Sequence, residues 1–202
     1  MLDLADIGKF LKAAQNDRLH ALYVLAIATG LRQGELLGLH WDDIDMQGAA
    51  SSVRRQLSED AGVLELTEPK TDKGRRRVDL PQFAVEALRA HHERMLAEGH
   101  SGPWLFCDSA GNPLRKSNLL RRSFFPLLLQ AKVPRVRFHD LRHSAATLLL
   151  SQGVHPKIVQ ERLGHSQISL TLDTYSHVLP SMQREAAAKL DKLFAENAAA
   201  HP

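Results

Sequence analysis

One cysteine, Cys107, in 202 residues leaves no material for an internal disulfide framework and fits a reducing compartment. It follows the apolar Trp104-Leu105-Phe106 run, where a small buried hydrophobe is the expected role. No apolar run approaches the ~18 residues needed to span a bilayer, and the amino terminus lacks the apolar core of a signal peptide. The expectation is a cytoplasmic protein with no membrane partner. Charge of one sign is also scarce. The 26 Lys and Arg against 23 Asp and Glu leave a net charge of only +3. That balance permits a phosphate-rich partner without requiring one. Repeats and low-complexity tracts are missing apart from the final alanines.

With 44% hydrophobic residues, the chain has enough to build one good core. Leu4, Ile7, Phe10 and Leu11 recur at helical spacing behind Asp3 and Asp6, either of which can cap, so a helix opens the chain. A nearly all-apolar helix is predicted from Leu19 to Thr29, stopped by Gly30 at the position that favours left-handed backbone. Helical pattern restarts over Gln33 to Leu39, which leaves Arg32 at the junction. Between Val53 and Leu80 the pattern turns to short β runs, Val63 to Thr67 and Arg76 to Leu80. The turn-rich Lys70 to Gly74 joins them as a basic hairpin in a small antiparallel sheet. Pro81 opens a helix through Ala97, and Ser101-Gly102-Pro103 and Gly111-Asn112-Pro113 bracket a short strand. Helices follow over Lys116 to Gln130, His139 to Ser151, Pro156 to Leu163 and Ser169 to Tyr175, with a tail helix from Ser181 to Asn197. The fold class is therefore mainly α with a small antiparallel β-sheet, an α+β domain.

In His139-Asp140-Leu141-Arg142-His143 the histidine and the second arginine stand three apart on one helical face, while Leu141, Ala145 and Leu148 form a stripe for the core. His143, His155 and His177 read as structural or solvent-facing. Taken alone, each of these residues has an ordinary structural explanation. Their order along the chain is what is specific: Thr29-Gly30-Leu31-Arg32-Gln33-Gly34-Glu35-Leu36, then Lys70, then His139 with Arg142, then Leu163-Gly164-His165-Ser166, then Tyr175.

This series resembles the catalytic domain of the tyrosine site-specific recombinases, the phage integrase family, from about residue 3 to residue 190. The resemblance implies the DNA breaking-rejoining fold over 1–180. It also implies catalytic roles for Arg32, Lys70, His139, Arg142, His165 and Tyr175, with Glu35 supporting Arg32, and no metal or other cofactor. Double-stranded DNA is the implied partner, with a tetramer on recombining DNA and a monomer or weak oligomer when free. Lys73, Arg75 and Arg76 are the implied DNA-binding residues of the hairpin, and Lys73 stands as an alternative to Lys70 for the general acid. Glu35 reads equally as an exposed residue. In this family a segment after the tyrosine often docks on a neighbouring protomer. The tail 181–202, with Met182, Ala186, Leu190, Leu193 and Phe194 on one stripe, either does so or packs on its own domain. The family usually places a helical core-binding domain ahead of the catalytic one. The pattern here starts almost at Met1, so the expectation is a chain without that domain, with weak DNA binding and little complete recombination on its own.

The chemistry accounts for these groups. Attack on a phosphodiester builds a second negative charge on the non-bridging oxygens, which two guanidinium forks can grip, each charge-assisted bond contributing roughly 1.5 to 3 kcal/mol. Ionising a tyrosine at pH 7 costs about 4 kcal/mol, so the nucleophile needs an acceptor such as His139. The departing 5′-oxygen needs a proton, which a hairpin lysine can give. Tyr23, the other tyrosine, lies in an apolar helix and reads as core. Three rivals stand beside this reading. One is a non-catalytic DNA-binding module. Another is a type IB topoisomerase-like nicking and rejoining enzyme. The third is a metallohydrolase, which lacks the glutamate of a His-Glu-x-x-His pattern and would set Arg142 beside its metal.

Overall fold

The computed structural model describes residues 1–68, 74–165, 187–188 and 190–192. Helix α1 (Leu4–Ala13) starts where the Asp3 carboxylate accepts from the Asp6 N–H at 2.8 Å, and it buries Ile7 and Phe10. Helix α2 (His20–Thr29) is buried on almost every side and stops at Gly30, whose φ of 65° is left-handed. The short α3 (Gln33–Leu37) follows at once, with Arg32 as its extended N-cap.

Five strands come next in two sheets. Strands β1 (Ile44–Asp45), β2 (Ala50–Val53) and β5 (Arg76–Asp79) form one antiparallel sheet in the order β1-β2-β5, with Ser51 opposite Val78. Strands β3 (Gln56–Asp60) and β4 (Val63–Thr67) form a separate two-stranded ribbon that turns at Ala61 and Gly62. This corrects the expected hairpin. The runs at 63–67 and 76–79 are both strands, but they do not pair: β4 takes β3 and β5 takes β2. Helix α4 (Gln82–Ala97) begins after Pro81 as expected. The expected strand between Pro103 and Gly111 reduces to two isolated bridges, His40 with Trp104 and Cys107 with Pro113. Helix α5 (Lys116–Leu119), a π-helical turn (Leu120–Phe124) and α6 (Phe125–Gln130) form one continuous rod. Helices α7 (His139–Ser151) and α8 (Pro156–Leu163) keep the bounds read from the sequence, and α8 ends on left-handed Gly164. The helices expected at 169–175 and 181–197 lie outside the described residues, except for 187–188 and 190–192, which are helical. Among the described residues no helix is long and apolar enough to cross a membrane.

The core gathers around α2. Phe10, Tyr23, Phe124 and Phe138 pack edge to face and tilted, with centroids such as Phe10 to Tyr23 at 5.1 Å. The Tyr23 hydroxyl is hydrogen-bonded to Ser123 Oγ at 2.6 Å, and burial pushes its pKa well above the tyrosine range, as a core role requires. Cys107 is buried as well. A second apolar cluster, Ala146, Leu150, Val159 and Leu163, fastens α8 to α7. Because α2 packs against α7, the corner after α2 is held against the helix that carries His139 and Arg142.

Candidate active site

Two left-handed glycines create the corner on which the site is built. Gly30 ends α2 and Gly164 ends α8, and each chain reversal leaves backbone carbonyls pointing out of a helix end. Arg142, on α7 and only 3% exposed, bridges them, donating Nη1 to Gly30 O and Nη2 to Leu163 O, both at 2.8 Å. Arg32 reaches the same corner from the start of α3, donating Nη2 to Gly164 O at 3.3 Å. A Cβ on Gly30 would meet Leu163 Cδ2 at 2.6 Å, so a larger residue would have to displace that side chain as well as strain a left-handed backbone.

His165 follows immediately. Its carbonyl accepts from Gln160 Nε2 at 3.1 Å, which fixes the backbone beyond α8. Burial, and then the charges of Arg142, Arg32, His143 and Arg76, press its pKa down to about 4. At neutral pH the His165 imidazole is therefore neutral. His139 opens α7 with its ring 4.9 Å from that of His143. Its pKa is also lowered, by burial first and then by His143 and Arg142. It lines a cavity of about 350 Å³ with Gln33, Gly34, Ser58, Glu59 and Lys116. The fold thus brings Arg32, Arg142 and His165 to one corner, with His139 one turn from Arg142 on the same helix.

Glu35 is not exposed. Its side chain is 2% exposed, and Oε1 accepts from Arg32 Nη1 at 2.8 Å and Arg76 Nη1 at 3.1 Å. Its Oε2 accepts from the Arg32 backbone N–H and from Arg76 Nη2, both at 2.9 Å. Burial acts to raise its pKa. The bonds and charge of Arg76, followed by the backbone N–H and guanidinium of Arg32, outweigh that and hold it below the usual carboxylate value. Of the residues read as a basic DNA-binding strip, Arg76 points inward to Glu35, whereas Arg75 is exposed and paired with Glu68 at 2.6 Å. Lys70, Lys73 and Tyr175 lie outside the described residues.

Two further groups escaped the sequence reading. Arg162 donates Nη2 to Ala28 O at 2.7 Å and to Asp79 O at 2.8 Å, tying α8 to α2 and β5. His143, read as structural or solvent-facing, stands next to His139 and acts electrostatically on His165. Its spacing of four from His139 was the available signal. Among the described residues no group of three His, Cys, Asp or Glu is placed to hold a metal ion. The corner brings together two guanidinium groups and a neutral imidazole.

This is the architecture of a tyrosine recombinase catalytic domain. It matches the Tn1549 transposon integrase, in a complex with transposon right-end DNA, with a TM-score of 0.81 and 27% identity, covering 94% of this chain and 65% of that one. A model of the phage integrase family matches residues 1–182, and the chain belongs to that family. A XerC-like tyrosine recombinase of Caldanaerobacter subterraneus subsp. tengcongensis is 36% identical over 94% of this chain and 53% of its own length. The ICEBs1 integrase of Bacillus subtilis is 33% identical over 93% of this chain and 53% of its own length. The chain spans about half the length of these curated relatives.

Proposed function

We propose that this chain is the strand-transferring part of a site-specific recombinase, cutting and rejoining duplex DNA through a 3′-phosphotyrosine at Tyr175. The convergence of Arg32, Arg142 and His165 on the corner between Gly30 and Gly164 carries the reading, because that corner supplies donors of the right charge for one phosphodiester. In the forward step the Tyr175 oxygen attacks phosphorus and its proton passes to His139. The bond to the 5′-oxygen breaks, and Lys70 protonates the leaving oxygen, with Lys73 as its alternative. The arginines and His165 stabilise the charge that grows on the non-bridging oxygens. The freed 5′-hydroxyl of a partner strand then reverses the step. Phosphate-bond energy is kept in the protein link, so the cycle calls for neither ATP nor a metal, and activity should be undiminished in chelator.

Supporting this reading are the family membership and the DNA in the related transposon-integrase structure. The same proposal includes a tetramer on recombining DNA and a bacterial cytoplasmic site of action at the nucleoid. It also includes Lys73 and Arg75 as phosphate contacts and the tail 181–202 as a segment that docks either on a neighbouring protomer or on its own domain. The test is a pool of nicked duplexes with a randomised core, denatured after incubation and searched for strands attached to protein. Wild type should yield an adduct mapping to Tyr175. Tyr175→Phe should abolish the adduct, a loss of at least ~10³-fold, with DNA binding kept. Binding without any adduct from wild type would leave the non-catalytic module standing instead.

A further inference from the structure

We propose that Arg76 is a positioning residue for Arg32: by occupying the Glu35 carboxylate, it keeps the Arg32 guanidinium available to phosphate. This rests on the strand-transfer reading of the site.

The observation is an unequal sharing of one buried carboxylate. Glu35 accepts four hydrogen bonds, two on each oxygen. Arg76 takes part in a two-point fork, Nη1 to Oε1 and Nη2 to Oε2, the geometry a guanidinium prefers with a carboxylate. Arg32 gives the same carboxylate only one guanidinium nitrogen, Nη1. Its side chain is 41% exposed, against 8% for Arg76. One arginine is thus buried as a counter-ion and the other is left half in the open.

Charge makes the arrangement consequential. Arg32 with Glu35 alone is a neutral pair, a poor receiver for a transition state that gains negative charge. Adding Arg76 restores a net positive charge to the trio and fills the oxygen positions that would otherwise draw both nitrogens of Arg32 into a fork. Arg76 is itself held in place. Its Nε donates to Arg162 O at 2.8 Å and its Nη1 also donates to Gly74 O at 3.2 Å. The side chain therefore ties the start of β5 to α3 and to the end of α8, the elements leading from the lysine segment, to Arg32 and to His165. It has little guanidinium left for DNA, in contrast to Arg75 beside it.

The test compares Arg76→Lys, Arg76→Gln, Glu35→Gln and the double variant Glu35→Gln/Arg76→Gln with wild type. The probe is the nicked duplex that wild type attacks fastest, with adduct formation rate and DNA affinity measured separately. Arg76→Gln should slow adduct formation ~100-fold and Arg76→Lys ~10-fold, with DNA affinity within about twofold of wild type. The double variant should be at least ~10-fold faster than Arg76→Gln, because an amide in place of the carboxylate no longer captures Arg32. A structural role would make the two losses multiply. If Arg76→Gln does not fold, Arg76→Lys and the double variant carry the comparison. A duplex with a bridging 5′-sulfur, whose thiolate departs without a proton, should keep the Arg76→Lys defect. Wild-type rates in Arg76→Gln, multiplying losses, or full recovery on the sulfur substrate would each overturn the role assigned to Arg76. An absence of adduct with wild type would overturn the strand-transfer reading itself.

Discussion

At the residue scale the two arginines of the site are unlike in what they do for the fold. Arg142 is buried with each end of its guanidinium on a carbonyl, whereas Arg32 is half open and makes one bond of 3.3 Å to the corner. A lysine at 142 keeps the charge but cannot span Gly30 O and Leu163 O, so one carbonyl loses a charge-assisted bond. Arg142→Lys should then cost about 1.5 to 3 kcal/mol of stability, against less than about 1 kcal/mol for Arg32→Lys. Thermal denaturation checks this. At about 2 to 4 °C per kcal/mol for a chain of this size, Arg142→Lys should melt roughly 1 to 12 °C below Arg32→Lys. Equal melting temperatures would mean that the carbonyl bridge contributes nothing. The residue types and order of this site were legible in the sequence. The inward turn of Arg76 was missed, although Arg76 and Val78 share one face of β5 while Arg77 points out to Asp45. Three consecutive arginines had masked that alternation.

At the element scale the position of α3 depends on two glycines facing the ribbon. A Cβ on Gly34 would come within 2.9 Å of Leu57 O. One on Gly38 would come within 2.8 Å of Leu57 N and 2.9 Å of Gln56 C. These neighbours are backbone, so a methyl group can be fitted only by moving β3 or α3. Gly38→Ala should destabilise the protein by about 1 to 3 kcal/mol, an overpacking cost. Because α3 carries Glu35 and starts at Arg32, it should also slow adduct formation more than it weakens DNA binding. An unchanged melting temperature would show that the contact is loose. Helix bounds were legible here because caps and periodicity are local: α7 and α8 start and stop where the sequence said they would. Strand partners were not. The Val63 to Thr67 and Arg76 to Asp79 runs are adjacent in the chain, yet each finds its partner earlier in the sequence. The deciding strand, β2, is Ala50-Ser51-Ser52-Val53, too poor in bulky β formers to announce itself.

At the scale of the whole molecule, a net charge of +3 means that the DNA affinity proposed above would rest on a few local phosphate contacts rather than on a general field. With roughly three or four phosphates neutralised, affinity should fall about 40- to 150-fold between 50 and 200 mM salt, which fluorescence anisotropy on a labelled duplex would measure. A flat salt response would argue against phosphate contacts of any kind. Acid acts on the free molecule through its histidines. His20, His40, His91, His139, His143 and His165 are all shifted down, each with burial as the leading cause, and His165 lies at about 4. A histidine whose folded pKa is depressed takes up its proton first in the unfolded chain. The stability it contributes is therefore complete above the unfolded value of about 6.5 and is lost as pH falls toward the folded one. Each such group adds at most about 1.4 kcal/mol per pH unit. Urea midpoints should accordingly fall steadily from pH 7 to pH 4.5, and more gently in His165→Asn. Bound phosphodiester reverses the sign at His165, because a nearby negative charge favours the imidazolium. A proton resonance of His165 titrating at higher pH with duplex than without it would place that ring on the phosphate, and an unmoved titration would remove it from the site.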